Sequence, residues 1–259
     1  MKENPIGLFD SGIGGTSIYK AVNKLLPNES TIYLADSANA PYGPKGREWI
    51  IERSIINTEL LLEHNCKLIV VACNTATTNA ISILREKYKV PFIGIEPAIK
   101  PASLKTKTRA IGILATKGTF SSELFMQTSK LYCSDVFRVE QIGEGLVDLI
   151  ESGKLNSTEM TRLLQKYLKP MLKANIDYLV LGCTHYPYLI PQLKQLLPKS
   201  VKIIDSGKAV AKQTSVVLNS HGLLCENDQN VYHQFYTNGS LDVLKSVLPQ
   251  HQQVDFLNF

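Results

Sequence analysis

Two cysteines in this sequence end apolar runs. Residues 68–72 lead into Cys73, Asn74 and Thr75, and residues 178–182 lead into Cys183, Thr184 and His185. Runs of this length read as buried parallel strands, and the polar residues behind them read as helix caps. Each cysteine is therefore expected at the carboxyl end of a strand and the amino end of a helix. Open α/β sheets bind their ligands there, and the helix dipole with its free N–H groups favours a thiolate. One such cysteine suggests a nucleophile. Two in matching settings suggest a pair of acid/base thiols, because an ordinary pKa of about 8.5 keeps both thiol and thiolate accessible near neutrality. His185 stands two residues from Cys183 and is placed to polarise or protonate it. Cys66, Cys133 and Cys225 lack a polar cluster at a strand end and read as inert.

Three further clusters follow other strand-like runs. Asp10 and Ser11 precede Gly12, Gly14 and Gly15. A dinucleotide loop fails here, since Ser17 takes the third glycine position and Asp10 would repel a pyrophosphate, although Asp36 ends the next strand. A glycine-rich turn that receives a small carboxylate on its N–H groups and the Ser11 hydroxyl fits better. Asp10 would then meet an ammonium or a neighbouring thiol, or act as a simple cap. Pro41, Tyr42 and Gly43 form the second cluster, with Gly43 allowing close backbone approach. Thr116 ends the third. No Lys or Arg lies in these motifs, which points away from a lysine Schiff base and from an arginine carboxylate clamp. A zinc site would need Cys73, Cys183, His185 and Asp10 to converge, and no metal is expected.

The elements that must hold these residues alternate along the chain. Strand patterns cover residues 6–9, 31–35, 68–72, 92–95, 110–115, 136–140, 178–181 and 201–204. Helical patterns cover 16–26, 48–63, 76–87, 121–131, 157–173 and 188–197. This predicts an α/β fold on mainly parallel sheets with right-handed crossovers. Residues 6–11 resemble 111–116, and each segment is followed at a similar distance by one cysteine run. Ser11 thus pairs with Thr116 and Cys73 with Cys183, as in two similar halves related by a pseudo-two-fold axis, with the thiols across one cleft. The predicted domains are residues 1–96 with 206–259, and residues 97–205. The tail from Lys208 is too short for its own core and is expected to pack on the first half.

With 44% hydrophobic and 20% charged residues, the chain falls in the soluble globular class. No run reaches the roughly 20 residues of a membrane helix. Met1 to Ile6 lead straight into a strand pattern, which predicts no signal peptide. Five cysteines without CxxC spacing suit free thiols in a reducing cytoplasm. The net charge of +5 is mild, and its densest patch, Lys105, Lys107 and Arg109, has no interleaved aromatics, so no nucleic-acid partner is expected.

At Asp10, Ser11 and Gly12, at Pro41, Tyr42 and Gly43, at Cys73, Asn74 and Thr75, at Gly182 to His185 and at Asp205 to Gly207, the chain resembles the cofactor-independent glutamate racemases of the wider aspartate/glutamate racemase group. The likeness runs from about Ile6 to about Ala211. It implies an isomerase without cofactor that interconverts L- and D-glutamate in a cleft between two domains, supplying D-glutamate for peptidoglycan. It implies catalytic roles for Cys73 and Cys183 with Asp10 and His185 as helpers. It implies substrate binding by Asp10, Ser11, Tyr42, Gly43, Asn74, Thr75, Thr116, Thr184 and His185. Glu151 is similar in position to an acidic residue proposed to assist catalysis in relatives. Residues 143–148 depart from the more apolar run usual there. A homodimer is allowed but not required. The rivals are an aspartate or hydantoin racemase, a hydrolase using Cys183 with His185, and a glutamate sensor without catalysis.

Overall fold

Ten parallel strands make two sheets in the computed structural model, which describes residues 2–225 and 230–259. They are β1 (Ile6–Asp10), β2 (Thr31–Ala35), β3 (Leu68–Val71), β4 (Phe92–Gly94), β5 (Ala110–Ala115), β6 (Phe137–Ile142), β7 (Tyr178–Gly182), β8 (Lys202–Ile204), β9 (His233–Thr237) and β10 (Gln253–Phe256). The first sheet runs β10-β9-β2-β1-β3-β4 and the second β6-β5-β7-β8. Removing β9 and β10 leaves the same order in both: second, first, third, fourth. The expected repeat is therefore present as topology. β3, which leads to Cys73, and β7, which leads to Cys183, are equivalent strands.

The unbroken apolar runs have a physical reason. Successive side chains of a strand point to opposite faces, and here both faces are covered. Leu8 and Val70 of the first sheet share one core with Leu179 and Leu181 of the second. Phe9, Leu34 and Val71 face an outer core of the first lobe. Ile111, Ile113 and Val180 face an outer core of the second. Because the inner core spans both lobes, truncating a side chain such as Leu8 to Ala costs about 2–5 kcal/mol and disturbs the lobe junction as well as one sheet.

The helices are α1 (Thr16–Leu25), α2 (Arg47–Glu63), α3 (Asn74–Lys87), α4 (Ile99–Lys105), α5 (Lys117–Phe120), α6 (Glu123–Tyr132), α7 (Leu146–Glu151), α8 (Thr158–Lys173), α9 (Ile190–Leu196), α10 (Gly207–Ser220) and α11 (Leu241–Ser246). The chain crosses between lobes twice, after β4 and after β8. The two crossings touch where the Ser206 hydroxyl donates to the carbonyl of Glu96. The tail does return to the first lobe: α10 packs on α1, and β9 pairs with β2 over Thr31–Ala35. Among the described residues, no helix is long and apolar enough to cross a membrane.

One expectation about local structure is corrected. No α-helix follows Cys183 directly. A 3₁₀ turn, Tyr186–Leu189, comes first, and α9 begins only at Ile190. Pro187 and the buried Tyr186 and Leu189 hold that tighter turn.

Candidate active site

Cys73 forms the N-cap of α3. Its Sγ accepts the N–H of Ala76 at 3.4 Å and donates to Ser11 Oγ at 3.7 Å. The strand places the sulfur, and the 14-residue helix α3 begins immediately behind it. The expectation that this setting favours a thiolate is not met. Burial drives the Cys73 pKa well above the ordinary thiol value, and the Asp10 carboxylate adds to it. The physical reason is one of size. A helix terminus contributes about 0.3–1 kcal/mol, up to about 2, whereas full desolvation moves a pKa by several units.

Cys183 lies 3.7 Å from His185 Nδ1. The other ring nitrogen of His185 stands 2.5 Å from Glu151 Oε1. That carboxylate also accepts the Ile13 N–H at 2.7 Å and the Ser37 hydroxyl at 2.8 Å. Burial opposes a charged His185, but its contacts with Cys183 and Glu151 outweigh this and lift its pKa well above the usual value. A charged imidazole at that distance can hand Cys183 a proton, and it can balance the charge of a thiolate.

Asp10 is fully buried between the two cysteines' surroundings. It accepts the Gly15 N–H at 2.7 Å and the Thr184 hydroxyl at 3.2 Å, and it lies 4.0 Å from His185 Nδ1. It does not cap α1, whose N-cap is Gly15 with no side-chain cap bond; it ties the turn before that helix through the Gly15 N–H. Burial raises its carboxyl to about 6, while His185 and the Gly15 N–H pull the other way.

A cavity of about 10 Å³ is lined by Ser11, Tyr42, Gly43, Cys73, Asn74, Thr75, Thr116, Cys183, Thr184 and His185, together with Pro41 and Val147. Of the residues given catalytic or substrate-binding roles from the sequence, Asp10 is absent from this wall, bonded instead to Gly15 and Thr184. The lining residues include no Lys or Arg. Asn74 is 3% exposed, and its Nδ2 has no hydrogen-bond partner among the described residues, so it is a buried donor awaiting an acceptor. Thr75 and Thr116 hydroxyls meet across the lobes at 2.8 Å. Gly43 packs so close to Thr116 that a Cβ there would come within 2.9 Å of it. The Tyr42 hydroxyl is turned away to Asp36 and Asn57, so Tyr42 meets the cavity only with its ring and backbone.

A wider cleft of about 510 Å³ shares Pro41, Gly43, Thr116 and Val147 with this cavity. Residues 143–145 and Asp148 line the wider cleft only, and Val147 alone of that segment reaches the inner one. Among the described residues, no group of three or more His, Cys, Asp or Glu converges as a metal site requires.

The family model for Asp/Glu/Hydantoin racemase matches residues 6–214. The chain is 44% identical over 250 residues to a glutamate racemase of Ectopseudomonas mendocina, covering 96% of this chain and 95% of that one. A crystal structure of a glutamate racemase isoform from Bacillus anthracis superposes with a TM-score of 0.87 at 31% identity, over 100% of this chain and 98% of that one. The Escherichia coli glutamate racemase, solved with L-glutamate and the activator UDP-MurNAc-ala, gives 0.86 at 32% identity over 98% of both chains.

Proposed function

The chain belongs to the Asp/Glu/Hydantoin racemase family and is an amino-acid racemase, and from that premise we propose that it interconverts L- and D-glutamate with two cysteines as the acid/base pair. The observation that carries this reading is that Cys73 and Cys183, from equivalent strands of the two lobes, line one small cavity. At about 10 Å³ the space between them has room for about one water molecule, so glutamate enters only when the two lobes part. The relatives named above support glutamate over aspartate or hydantoin substrates.

Racemisation takes the α-hydrogen as a proton from one face and returns a proton to the other. One base would have to swing round the substrate, whereas two opposed thiols need only exchange roles. In the L-to-D direction Cys183 is the base and Cys73 the acid, and the reverse direction reverses them. The protonated Cys73 and the imidazole beside Cys183 match the start of the L-to-D turnover. The carbanion must be stabilised by donors fixed in advance at the carboxylate. Asn74 Nδ2, the Ser11 hydroxyl and the backbone N–H groups of Asn74 and Thr75, which open α3 and have no intrahelical acceptor, supply them. Water is excluded by two lobes that close over the cavity. In this reading residues 1–96 with 206–259 are one domain and 97–205 the other. The product D-glutamate serves peptidoglycan, and the free thiols suit a reducing cytoplasm.

The test is incubation with L-glutamate in D₂O. Deuterium at the α-carbon together with D-glutamate is the expected result. A stable acyl-enzyme on Cys183, or binding with no α-exchange, would replace the racemase by the hydrolase or the sensor. L-Aspartate run in parallel fixes the substrate length.

A further inference from the structure

Asp36 is a fully buried carboxylate that touches neither thiol and does not line the cavity. It nevertheless collects five donors. Arg53 of α2 reaches it twice, Nε to Oδ2 at 3.0 Å and a terminal nitrogen to Oδ1 at 2.8 Å. Asn39 Nδ2 follows at 2.7 Å, Asn238 Nδ2 at 2.5 Å, and the Tyr42 hydroxyl completes the set. Asn238, just past β9, also accepts the Ala38 N–H at 2.9 Å. The segment from residue 36 to 43 is thus tied at Asp36, Ala38, Asn39 and Tyr42. The same segment presents Pro41, Tyr42 and Gly43 to the cavity and Ser37 to Glu151.

A buried carboxylate is costly unless it is paired and hydrogen-bonded. Nothing in the strand requires a charge at this place, and a neutral turn would end β2 as well. What the charge adds is directional. Burial first and Asp36 second keep the proton on Tyr42, with its pKa well above the ordinary phenol value, so Tyr42 remains a donor locked onto Asp36. The two-point Arg53 fork fixes the carboxylate plane.

We propose that Asp36 and Arg53 are positioning residues of the reaction: their buried ion pair holds residues 41–43 where the substrate meets the cavity wall. This rests on the reading of that cavity as the glutamate site. Neither group touches substrate, and both act through Tyr42 and the backbone beside it.

The chain contains a single tryptophan, Trp49, whose ring packs edge-on against Tyr42 at 5.2 Å. Its emission therefore reports the placement of Tyr42 without any need for activity. The experiment compares wild type, Arg53→Lys and the charge-neutral pair Asp36→Asn with Arg53→Leu. Arg53→Lys keeps the charge and loses the fork, and the double variant avoids an unpaired buried charge that would unfold the protein. Both are expected to keep a cooperative melt, to shift Trp49 emission and its acrylamide quenching, and to raise KM for glutamate on the order of tenfold, since displacements of about an ångström cost rates of that order or more. The change in kcat is expected to be smaller. Unchanged emission and quenching in both variants overturns the proposal, whatever the activity. So does a KM unchanged in both variants when the wild type racemises. A wild type that racemises nothing sinks the reading of the cavity instead, and Trp49 still decides the positioning role.

Discussion

The two thiol sites occupy equivalent strand ends and are built differently. Cys73 caps a 14-residue helix and is surrounded by a hydroxyl, a backbone N–H and a buried carboxylate. Cys183 is followed by a 3₁₀ turn and leans on an imidazole that is anchored by Glu151. The repeat therefore preserves position and not chemistry. The first site holds its proton by desolvation. The second has a titratable partner that can give or take one. The proposed two-base racemisation would need one thiol with a proton and one without, and unequal surroundings are a direct way to prepare that state.

The largest expected effect removes either thiol. Cys73→Ser and Cys183→Ser should each cut racemisation by about 10³-fold or more, within the range of lost acid–base catalysis and beyond. Racemisation alone cannot expose the inequality of the two sites. Its equilibrium constant is unity, so kcat/KM must fall equally in both directions. Elimination from a substrate with a leaving group on the β-carbon needs only the first proton transfer and is free of that constraint. Cys73→Ser should still eliminate from the L-enantiomer and Cys183→Ser from the D-enantiomer. One mutant that keeps both enantiomers while the other loses both would replace the two-base scheme by a single thiol.

Asp10→Asn is expected next in size, and it separates activity from stability. The folded carboxyl is raised to about 6 from the ordinary 3.8, so between these pH values the native chain binds more protons than the unfolded one. Stability from this group is thus present below 3.8 and lost as pH rises through about 6. The gap corresponds to at most about 3 kcal/mol. The neutral amide escapes that loss. Asp10→Asn should slow racemisation by about 10²-fold yet melt higher than wild type at pH 7 to 8, with no such advantage near pH 4. A lower melting temperature at pH 7 would show that the Gly15 and Thr184 hydrogen bonds outweigh the cost of burying the charge.

Glu151→Gln should have the smallest effect, a few-fold in rate at neutral pH. It removes a charge 2.5 Å from His185 and keeps groups able to meet Ile13 and Ser37. His185, held charged beyond its usual range, should then lose its proton at lower pH, and the alkaline limb of the pH–rate profile should move down. Nuclear magnetic resonance titration of His185 reads the same shift directly. An unmoved His185 would assign its charge to Cys183 alone.

Much of this was legible in the sequence because strands buried on both faces leave unbroken apolar runs, and polar residues at their ends stand out against them. Cys73, Cys183, Ser11, Thr116 and His185 all followed from that contrast. The setting of Cys183 misled, since Tyr186 and Pro187 continue the chain as a 3₁₀ turn that a helical pattern from Tyr188 conceals. The protonation of Cys73 was misjudged because burial depth is a tertiary property. Glu151 ends a helix of only six residues and meets Ile13 across 138 positions. Val147, Arg53 and Asn238 likewise act through contacts with no local signature.

β9 lies on the outer side of β2, and Thr31 meets His233 at a separation of 202 residues. In a chain made from its amino end, the edge of β2 therefore stands open through the synthesis of the whole second lobe. Pairings this distant in sequence form slowly, and an unpaired parallel edge invites strands of other chains. Thr31, Tyr33 and Ala35 are buried in the finished sheet, so the half-made first lobe leaves unpaired N–H and C=O groups along β2 that β9 later covers. Production of this enzyme should accordingly be limited by how well the nascent chain is shielded, more than by the stability of the protein once its final two strands have docked.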